Sequence, residues 1–72
     1  MNDTDLSHRT RIGEKIKELR TEKGLSIRQL ADSCGVGYQN LTKIENSKYN
    51  VSIDILSKIL KSLDAQLNIQ KL

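Results

Sequence analysis

The N-terminal third of the chain carries apolar residues at helical spacing. Ile12, Ile16 and Leu19 follow one another at intervals of four and three residues, and most positions between them are charged. This spacing brings the three side chains to one face, so the pattern predicts an amphipathic helix over residues 11–23. Gly24 follows directly, as is typical of the residue just past a helix C-terminus.

Residues 1–10 show no apolar period before this helix. We therefore expect a flexible N-terminal arm, because chain ends without such a pattern are seldom tied down. The basic side chains of His8, Arg9 and Arg11 could touch a polyanion. A solvated tail is the simpler interpretation of the same residues.

The segment after the first helix predicts a second, short helix. Ser26 has the side chain of an N-cap residue, and Gln29 lies three positions later, where it can return the hydrogen bond in a capping box. The inner face is formed by Leu30, Ala31 and Cys34, and the cysteine is expected as a small buried hydrophobe rather than a reactive thiol. Gly35 then permits the left-handed backbone of a tight turn between helices.

A third helix is predicted over residues 37–46. Val36, Leu41 and Ile44 continue the apolar ladder inward. The outward positions carry mostly uncharged polar groups: Tyr38, Gln39, Asn40, Thr42 and Lys43. A short helix, a glycine turn and another helix match the helix-turn-helix arrangement, in which side chains of the second helix reach base edges in the major groove of DNA. These five residues are the predicted base-reading set, with a merely solvated face as the alternative.

A fourth helix begins after a polar loop, with Ser52 as its N-cap. One apolar stripe is formed by Ile53, Leu56, Leu60 and Leu63, and Ile55 and Ile59 widen it. A stripe this wide predicts a second packing partner.

The period changes after Asp64, where Ala65, Leu67 and Ile69 alternate imperfectly with polar residues. This pattern favours a strand over residues 65–72, with a continued or frayed helix as the alternative. The backbone groups of a lone strand need a partner strand for their hydrogen bonds, and the nearest candidate is the same strand of a second molecule. The residues expected at a dimer interface are therefore Ile55, Ile59, Leu67 and Ile69.

The composition is that of an ordinary helical domain. Of 72 residues, 36% are hydrophobic and 29% charged, with a formal net charge of +3 and a pI near 9.2. No window approaches a membrane span and the N-terminus is too polar for a signal peptide, so a cytoplasmic location is expected. Between residues 33 and 53 the only acidic residue is Glu45, against Lys43 and Lys48, so this segment suits an anionic partner.

Catalysis and metal binding are not expected. The chain has one histidine and one cysteine, His8 and Cys34, which together cannot make a zinc site of three or four ligands. No phosphate-binding glycine loop is present either, so no cofactor is expected.

The chain resembles the Cro and phage-repressor type of helix-turn-helix regulator. The residues that carry the resemblance are Ile16, Leu19 and Arg20, "GLS" at 24–26, "LA" at 30–31, "GV" at 35–36, Leu41, "IEN" at 44–46, and Ser52, Ile53 and Leu56. The resemblance implies an all-α, compact four-to-five-helix, lambda-repressor-like domain over residues 11–64. A tail strand in this place is similar to that of HipB-type antitoxins, which implies that residues 65–72 pair across a homodimer.

The family's functional residues fall on matching positions of this chain. The positions of Tyr38, Gln39 and Lys43 face bases, with Asn40 and Thr42 beside them. Phosphate contacts are assigned to Arg28, Asn46, Lys48 and Tyr49. Arg20 and Glu45 match an ion pair that orients the third helix more than it stabilises the fold. The chain departs from the usual pattern at Ile27 (often Gln, contacting the DNA backbone), Gly37 (usually Ser or Thr) and Ser47 (often Gly).

The function implied is that of a sequence-specific transcriptional regulator of double-stranded DNA. It is expected to be a homodimeric repressor of its own operon, bound to a palindromic operator through the major groove. The alternative is a protein-interaction module, such as an antitoxin that binds a toxin partner, in which DNA binding is secondary or lost. No membrane partner is expected in either case.

Overall fold

A computed structural model describes residues 4–48 and 50–71, with side chains from residue 8 onward. It contains four helices in this part of the chain: α1 (Thr4–Glu22), α2 (Ile27–Cys34), α3 (Tyr38–Glu45) and α4 (Ile53–Ser62). The predicted all-α class and the helix-turn-helix are confirmed.

The first helix begins earlier than the apolar pattern predicts. Its start at Thr4, rather than near Arg11, makes residues 4–10 helical where an arm without regular structure was expected. No glycine or proline interrupts residues 4–12, so a polar helix can continue beyond the core that supports it. Residues 1–3 lie outside the described residues.

The predicted capping groups of α2 and α4 are present. Ser26 Oγ accepts the Gln29 backbone N–H at 3.0 Å, and Gln29 Oε1 accepts the Ser26 N–H at 2.8 Å, which completes the capping box. Ser52 Oγ accepts the Ile55 N–H at 3.1 Å. Gly35 closes α2 with φ 74°, the left-handed conformation that its missing Cβ allows.

Three helices end in the same hydrogen-bonded turn, but only one uses glycine for it. After α1, Gly24 has φ 72°, with the Gly24 and Leu25 N–H groups donating to the carbonyls of Thr21 and Arg20. This is the Schellman arrangement. Ser47 after α3 (φ 63°) and Asp64 after α4 (φ 55°) hold the equivalent left-handed position. Both therefore carry a Cβ in a conformation that disfavours it.

The core lies among the four helices, where α3 packs against α1 and α2, and α4 packs against α2. Its buried apolar members are Ile16, Leu30, Ala31, Cys34, Val36, Leu41, Ile44, Leu56, Ile59 and Leu63. In α4 the centre of the stripe is not the one predicted. Ile59 is fully buried with Leu56 and Leu63, whereas Ile53, the first residue of the helix, is 69% exposed. Periodicity identified the apolar helix but not which apolar residue faces the centre.

The α1 helix approaches the C-terminal end of α3 closely at Gly13. A Cβ built on Gly13 would overlap the backbone carbonyl oxygen of Ile44 and lie 3.1 Å from that of Glu45. Glycine is thus required here by the neighbouring backbone rather than by its own φ angle. Nothing in the apolar pattern of the first helix signals this contact.

Residues 65–71 form neither a helix nor a paired strand in this single chain. Asp64 ends the α4 turn, and the Ala65 N–H donates to the Leu60 carbonyl at 2.8 Å. Beyond it, Leu67 and Ile69 are 52% and 85% exposed. A continued helix is therefore wrong for residues 65–71, while pairing across two copies stays a prediction; Leu72 lies outside the described residues.

Candidate nucleic-acid interface

The predicted side chains on the outer face of α3 differ in how far they are exposed to solvent. Gln39 and Lys43 are exposed, and Tyr38 is 42% exposed. Asn40 and Thr42 are half-buried. The Thr42 hydroxyl donates to the Tyr38 carbonyl one turn earlier at 3.0 Å, so its proton is already used within the helix. Gln39 and Lys43, together with Tyr38, are thus the exposed polar side chains of this face.

The inner face of α3 is held by apolar packing and by a buried ion pair. Leu41 and Ile44 lie in the core, and Glu45 is 7% exposed. Arg20 donates two hydrogen bonds to that carboxylate, from Nε to Oε2 at 2.7 Å and from Nη2 to Oε1 at 3.0 Å, and this two-pronged contact is called the Arg20–Glu45 fork below. A third nitrogen, Nη1, donates to the Leu25 carbonyl at 2.7 Å. The fork therefore joins α1, the loop before α2, and α3.

The environment of Arg20 stabilises its charge. The hydrogen bond to Glu45 raises the pKa of the guanidinium above its ordinary value, and this outweighs the opposing effect of burial. Two parallel N–H···O bonds also fix the angle between the two groups, which a single point contact would not do. The pair thereby fixes how α3 lies on α1.

The N-terminal end of α3 is joined to α2 by a stacked pair. The guanidinium carbon of Arg28 lies 4.4 Å from the centroid of the Tyr38 ring, within the range of a cation–π contact. Gly37 is the N-cap and, as predicted, gives no side-chain hydrogen bond there. Sequence analysis missed this stack, since residues ten apart on different helices share no local signal.

The C-terminal end of α3 leads into an exposed polar loop. Asn46 and Lys48 are exposed, and the Lys48 N–H donates to the Lys43 carbonyl at 2.8 Å. Ser47 Oγ reaches the Arg9 carbonyl at 3.5 Å, so the early part of α1 adjoins this loop. The predicted phosphate contacts of Arg28, Asn46 and Lys48 thus lie at the two ends of the α3 face, while Tyr49 lies outside the described residues.

The predicted dimer residues fall into three different environments. Leu67 and Ile69 are exposed and Ile55 is half-buried. The prediction was wrong for Ile59. Its side chain is 0% exposed because it lies in the chain's own core, so it has no area for a partner. Ile53 was not among the predicted residues, yet it is an exposed apolar side chain on the same helix.

Membrane-spanning helices and metal-binding clusters are both absent from the described residues. Within residues 4–48 and 50–71 no helix has the length and apolar character needed to cross a membrane. The same residues contain no group of three or more histidine, cysteine, aspartate or glutamate side chains placed to hold a metal ion.

Comparison with known proteins places these features in a family. The family model HTH_3, described as helix-turn-helix, matches residues 16–69. The chain belongs to this family. The HTH-type transcriptional regulator SinR of Bacillus subtilis is 41% identical over 58 residues, which are 79% of this chain and 52% of SinR. The chain therefore spans about half the length of that relative.

Two further proteins are similar to this chain. The ImmF control region 10 kDa protein of Bacillus phage phi105 is 34% identical over 62 residues, covering 86% of this chain and 69% of the phage protein. The crystal structure of an HTH_3 family transcriptional regulator from Vibrio cholerae matches with a TM-score of 0.83 and 33% identity. That match covers 88% of this chain and 35% of the Vibrio chain.

Proposed function

We propose that this chain is a sequence-specific, double-stranded DNA-binding transcriptional regulator. The observation that carries the proposal is the outer face of α3, where Gln39 and Lys43 project from a helix whose inner face is fixed by the Arg20–Glu45 fork. A rigidly held helix with exposed polar groups has the geometry needed to enter the major groove. The regulator names of its relatives agree with this function.

Within this function, two of the exposed groups of α3 have distinct chemistry. The Gln39 amide can donate to and accept from adenine N7 and N6, and the Lys43 ammonium can donate to guanine O6 and N7 or to a phosphate. Asn40 and Thr42 line the same face with less exposure. Arg28, Asn46 and Lys48 flank it and would bind phosphates, which set the position of the helix without reading sequence.

The test is to select a duplex from a random pool with the wild-type protein and then compare two alanine variants on it. Gln39→Ala is expected to weaken binding by roughly 1–3 kcal/mol and to relax base preference at one position. Lys48→Ala is expected to weaken all sequences alike and to flatten the salt dependence by about one. A uniform loss across sequences for Gln39→Ala would show that this residue does not read a base.

A homodimer is the proposed working form. One α3 helix touches only a few base pairs, and two helices on a palindrome would lie about 34 Å apart or a multiple of it. The exposed apolar side chains of Ile53, Leu67 and Ile69 supply a surface for a second copy. Residues 66–71 form no paired strand within the chain, so a partner's strand could bond their backbone. Regulation of the chain's own operon, in the bacterial cytoplasm, is part of this proposal.

Light scattering tests the dimer. Deleting residues 66–72, or changing Leu67 and Ile69 together to serine, is expected to lower the molar mass from the dimer value to that of one chain. Lys71→Ser is the matched control, because it changes an exposed polar residue of the same segment. If the molar mass stays at the dimer value after the deletion, the dimer interface does not involve residues 66–72.

A second function is favoured by the same apolar residues. The surface could bind a different protein through the exposed apolar side chains of Ile53, Leu67 and Ile69, as expected of an antitoxin that binds a toxin. A one-to-one heteromeric complex formed with the product of an adjacent gene, without selection of any duplex at physiological salt, would favour this interaction function over DNA regulation.

A further inference from the structure

The stack between Arg28 and Tyr38 is a feature that the proposed function leaves unexplained. It joins the second residue of α2 to the first residue of α3, across the turn of the helix-turn-helix. Both side chains are exposed, with Tyr38 at 42%. The contact therefore lies on the outer surface, at the end of α3 that enters the groove first in the proposed docking.

A guanidinium that stacks on a ring keeps its hydrogen-bonding edge free. The guanidinium carbon of Arg28 lies over the Tyr38 ring, 4.4 Å from its centroid, and the planar group carries five N–H donors. Among residues 4–48 and 50–71, Arg28 forms no ion pair with a carboxylate. Arginine in this state is suited to a phosphate, whose two oxygens accept parallel N–H bonds.

The preceding residue offers no hydrogen bond at the start of α2. The Ile27 side chain packs against the core. An isoleucine side chain has no hydrogen-bonding group. A phosphate contact beside the Tyr38 ring would therefore come from Arg28, which is adjacent to Ile27, exposed and charged.

We propose that Tyr38 is a positioning residue whose ring holds Arg28 over an operator phosphate, and that it does not itself read a base. This inference rests on the proposed DNA-binding function. It assigns to Tyr38 a role different from that of Gln39, its neighbour on α3. The ring restricts the rotamers of a long side chain before DNA arrives, so less freedom is lost on binding.

The experiment is a double-mutant cycle on the duplex selected by the wild-type protein. Arg28→Ala and Tyr38→Ala are each expected to weaken binding about three- to tenfold, and the double variant little more than the stronger single one. Each is expected to flatten the salt dependence by up to about one and to leave base preference unchanged. Tyr38→Phe keeps the ring and is expected to restore the affinity and salt slope lost in Tyr38→Ala.

A second cycle with Lys48 is the matched control. Lys48 lies beyond the opposite end of α3, so losses from Tyr38→Ala and Lys48→Ala are expected to add. Circular dichroism of each variant at the assay temperature checks that the chain is folded.

Three results would overturn the inference while leaving DNA binding in place. They are additive losses at positions 28 and 38, a change in base preference for Tyr38→Ala, and a loss for Tyr38→Phe as large as that for Tyr38→Ala. The last result would assign the role to the tyrosine hydroxyl. If the wild-type protein selects no duplex at all, the proposed function fails, and this inference falls with it.

Discussion

Two ion pairs lie near the C-terminal end of α1, one from Arg20 in its last turn and one from Lys23 just past its end, and they differ in burial rather than in length. Arg20 Nε lies 2.7 Å from Glu45 Oε2 on α3, and Lys23 Nζ lies 2.6 Å from Asp64 Oδ2 just past α4. The first pair's side chains are 10% and 3% exposed, and the second pair's are 39% and 81% exposed. Water screens the second pair and not the first. Distance alone therefore does not rank their importance.

The difference teaches which helix contacts are rigid. Removing one partner of a buried pair leaves a desolvated charge, whereas removing one partner of an exposed pair returns the other to water. The orientation of α3 on α1 is thus strongly specified, whereas the exposed pair only adds a weak link between the ends of α1 and α4, and α4 is held by its packing on α2.

The most damaging change to the buried pair is Arg20→Leu. It leaves the Glu45 carboxylate buried without its cation and the Leu25 carbonyl without its donor. We expect the free energy of unfolding to fall by about 3–5 kcal/mol in urea denaturation. In a chain of 72 residues this is a large share of the total stability.

Arg20→Leu/Glu45→Leu separates stability from orientation. With both charges gone, much of the lost stability is expected to return, because no unpaired charge is left in the interior. Binding to the selected duplex is expected to stay weaker than wild type, since the angle of α3 is then set by apolar packing without the directional hydrogen bonds of the pair. Full affinity in the folded double variant would contradict an orienting role for the pair.

The next largest effect is expected from Gly13→Ala, which tests whether the α1–α3 contact is rigid. Alanine there gains up to about 1 kcal/mol in helix propensity but places its Cβ against the carbonyl of Ile44. Backbone cannot move aside as a flexible side chain can, so we expect a net loss of about 1–3 kcal/mol by urea denaturation.

Gly37→Ala is the control for Gly13→Ala. Its Cβ would meet only the Asn40 side-chain nitrogen at 3.7 Å, an ordinary contact. The change is expected to cost only about 0.5–1 kcal/mol, because alanine is a poorer N-cap than glycine but meets no backbone. Equal effects of the two substitutions would show that the close approach at Gly13 is not what limits α1.

The sequence predicted the parts of the fold that local chemistry decides. Caps at Ser26 and Ser52 and the turn at Gly35 involve neighbours within a few residues, so their side chains alone reveal them. The outer face of α3 follows from the inner one by helical period. The exposure of Gln39 and Lys43 was therefore predictable, while their roles in binding stay predictions.

What the sequence could not reveal depends on how whole helices meet. Gly13 is needed because of α3, and Ile59 rather than Ile53 reaches the centre because of how α4 lies on its neighbours. The Arg28–Tyr38 stack likewise needs the angle between α2 and α3. Periodicity gives the apolar face of a helix, but not the tertiary geometry that selects among its members.

A smaller, stabilising effect is expected at the other end of the α1–α3 contact, from Ser47→Gly. Serine there has φ 63°, where Gly24 ends α1 in the same way without a Cβ. Glycine relieves a conformation that costs other residues about 1–2 kcal/mol, partly offset by its greater freedom in the unfolded chain. We expect a gain of about 0.5–1 kcal/mol in the same denaturation assay.

Ser33→Gly provides a matched control for Ser47→Gly, because Ser33 is an exposed serine inside α2. Glycine is expected to destabilise the chain at this helical position by about 0.5 kcal/mol. Opposite signs for the two variants would establish that backbone conformation, and not the loss of a hydroxyl, decides the outcome. A loss at Ser47 would instead point to its contact with the Arg9 carbonyl.

The smallest effect is expected for the exposed pair, and it has a definite pH dependence. The hydrogen bond from Lys23, and then its charge, lower the pKa of the Asp64 carboxyl below the ordinary value of about 3.9. A carboxylate with a depressed folded-state pKa contributes stability above its unfolded pKa. That contribution is lost as the pH falls through the folded value.

Lys23→Met is therefore expected to lower the melting temperature only slightly at pH 7, by an amount close to the error of the measurement, and not at all once Asp64 is protonated. Asp64→Asn, which removes the charge and keeps a residue that tolerates the left-handed turn, is expected to match it. A Lys23→Met deficit that persists unchanged at pH 2 would show that the lysine acts through the packing of its methylenes. A deficit at pH 7 as large as that of Arg20→Leu would mean that burial does not distinguish the two pairs.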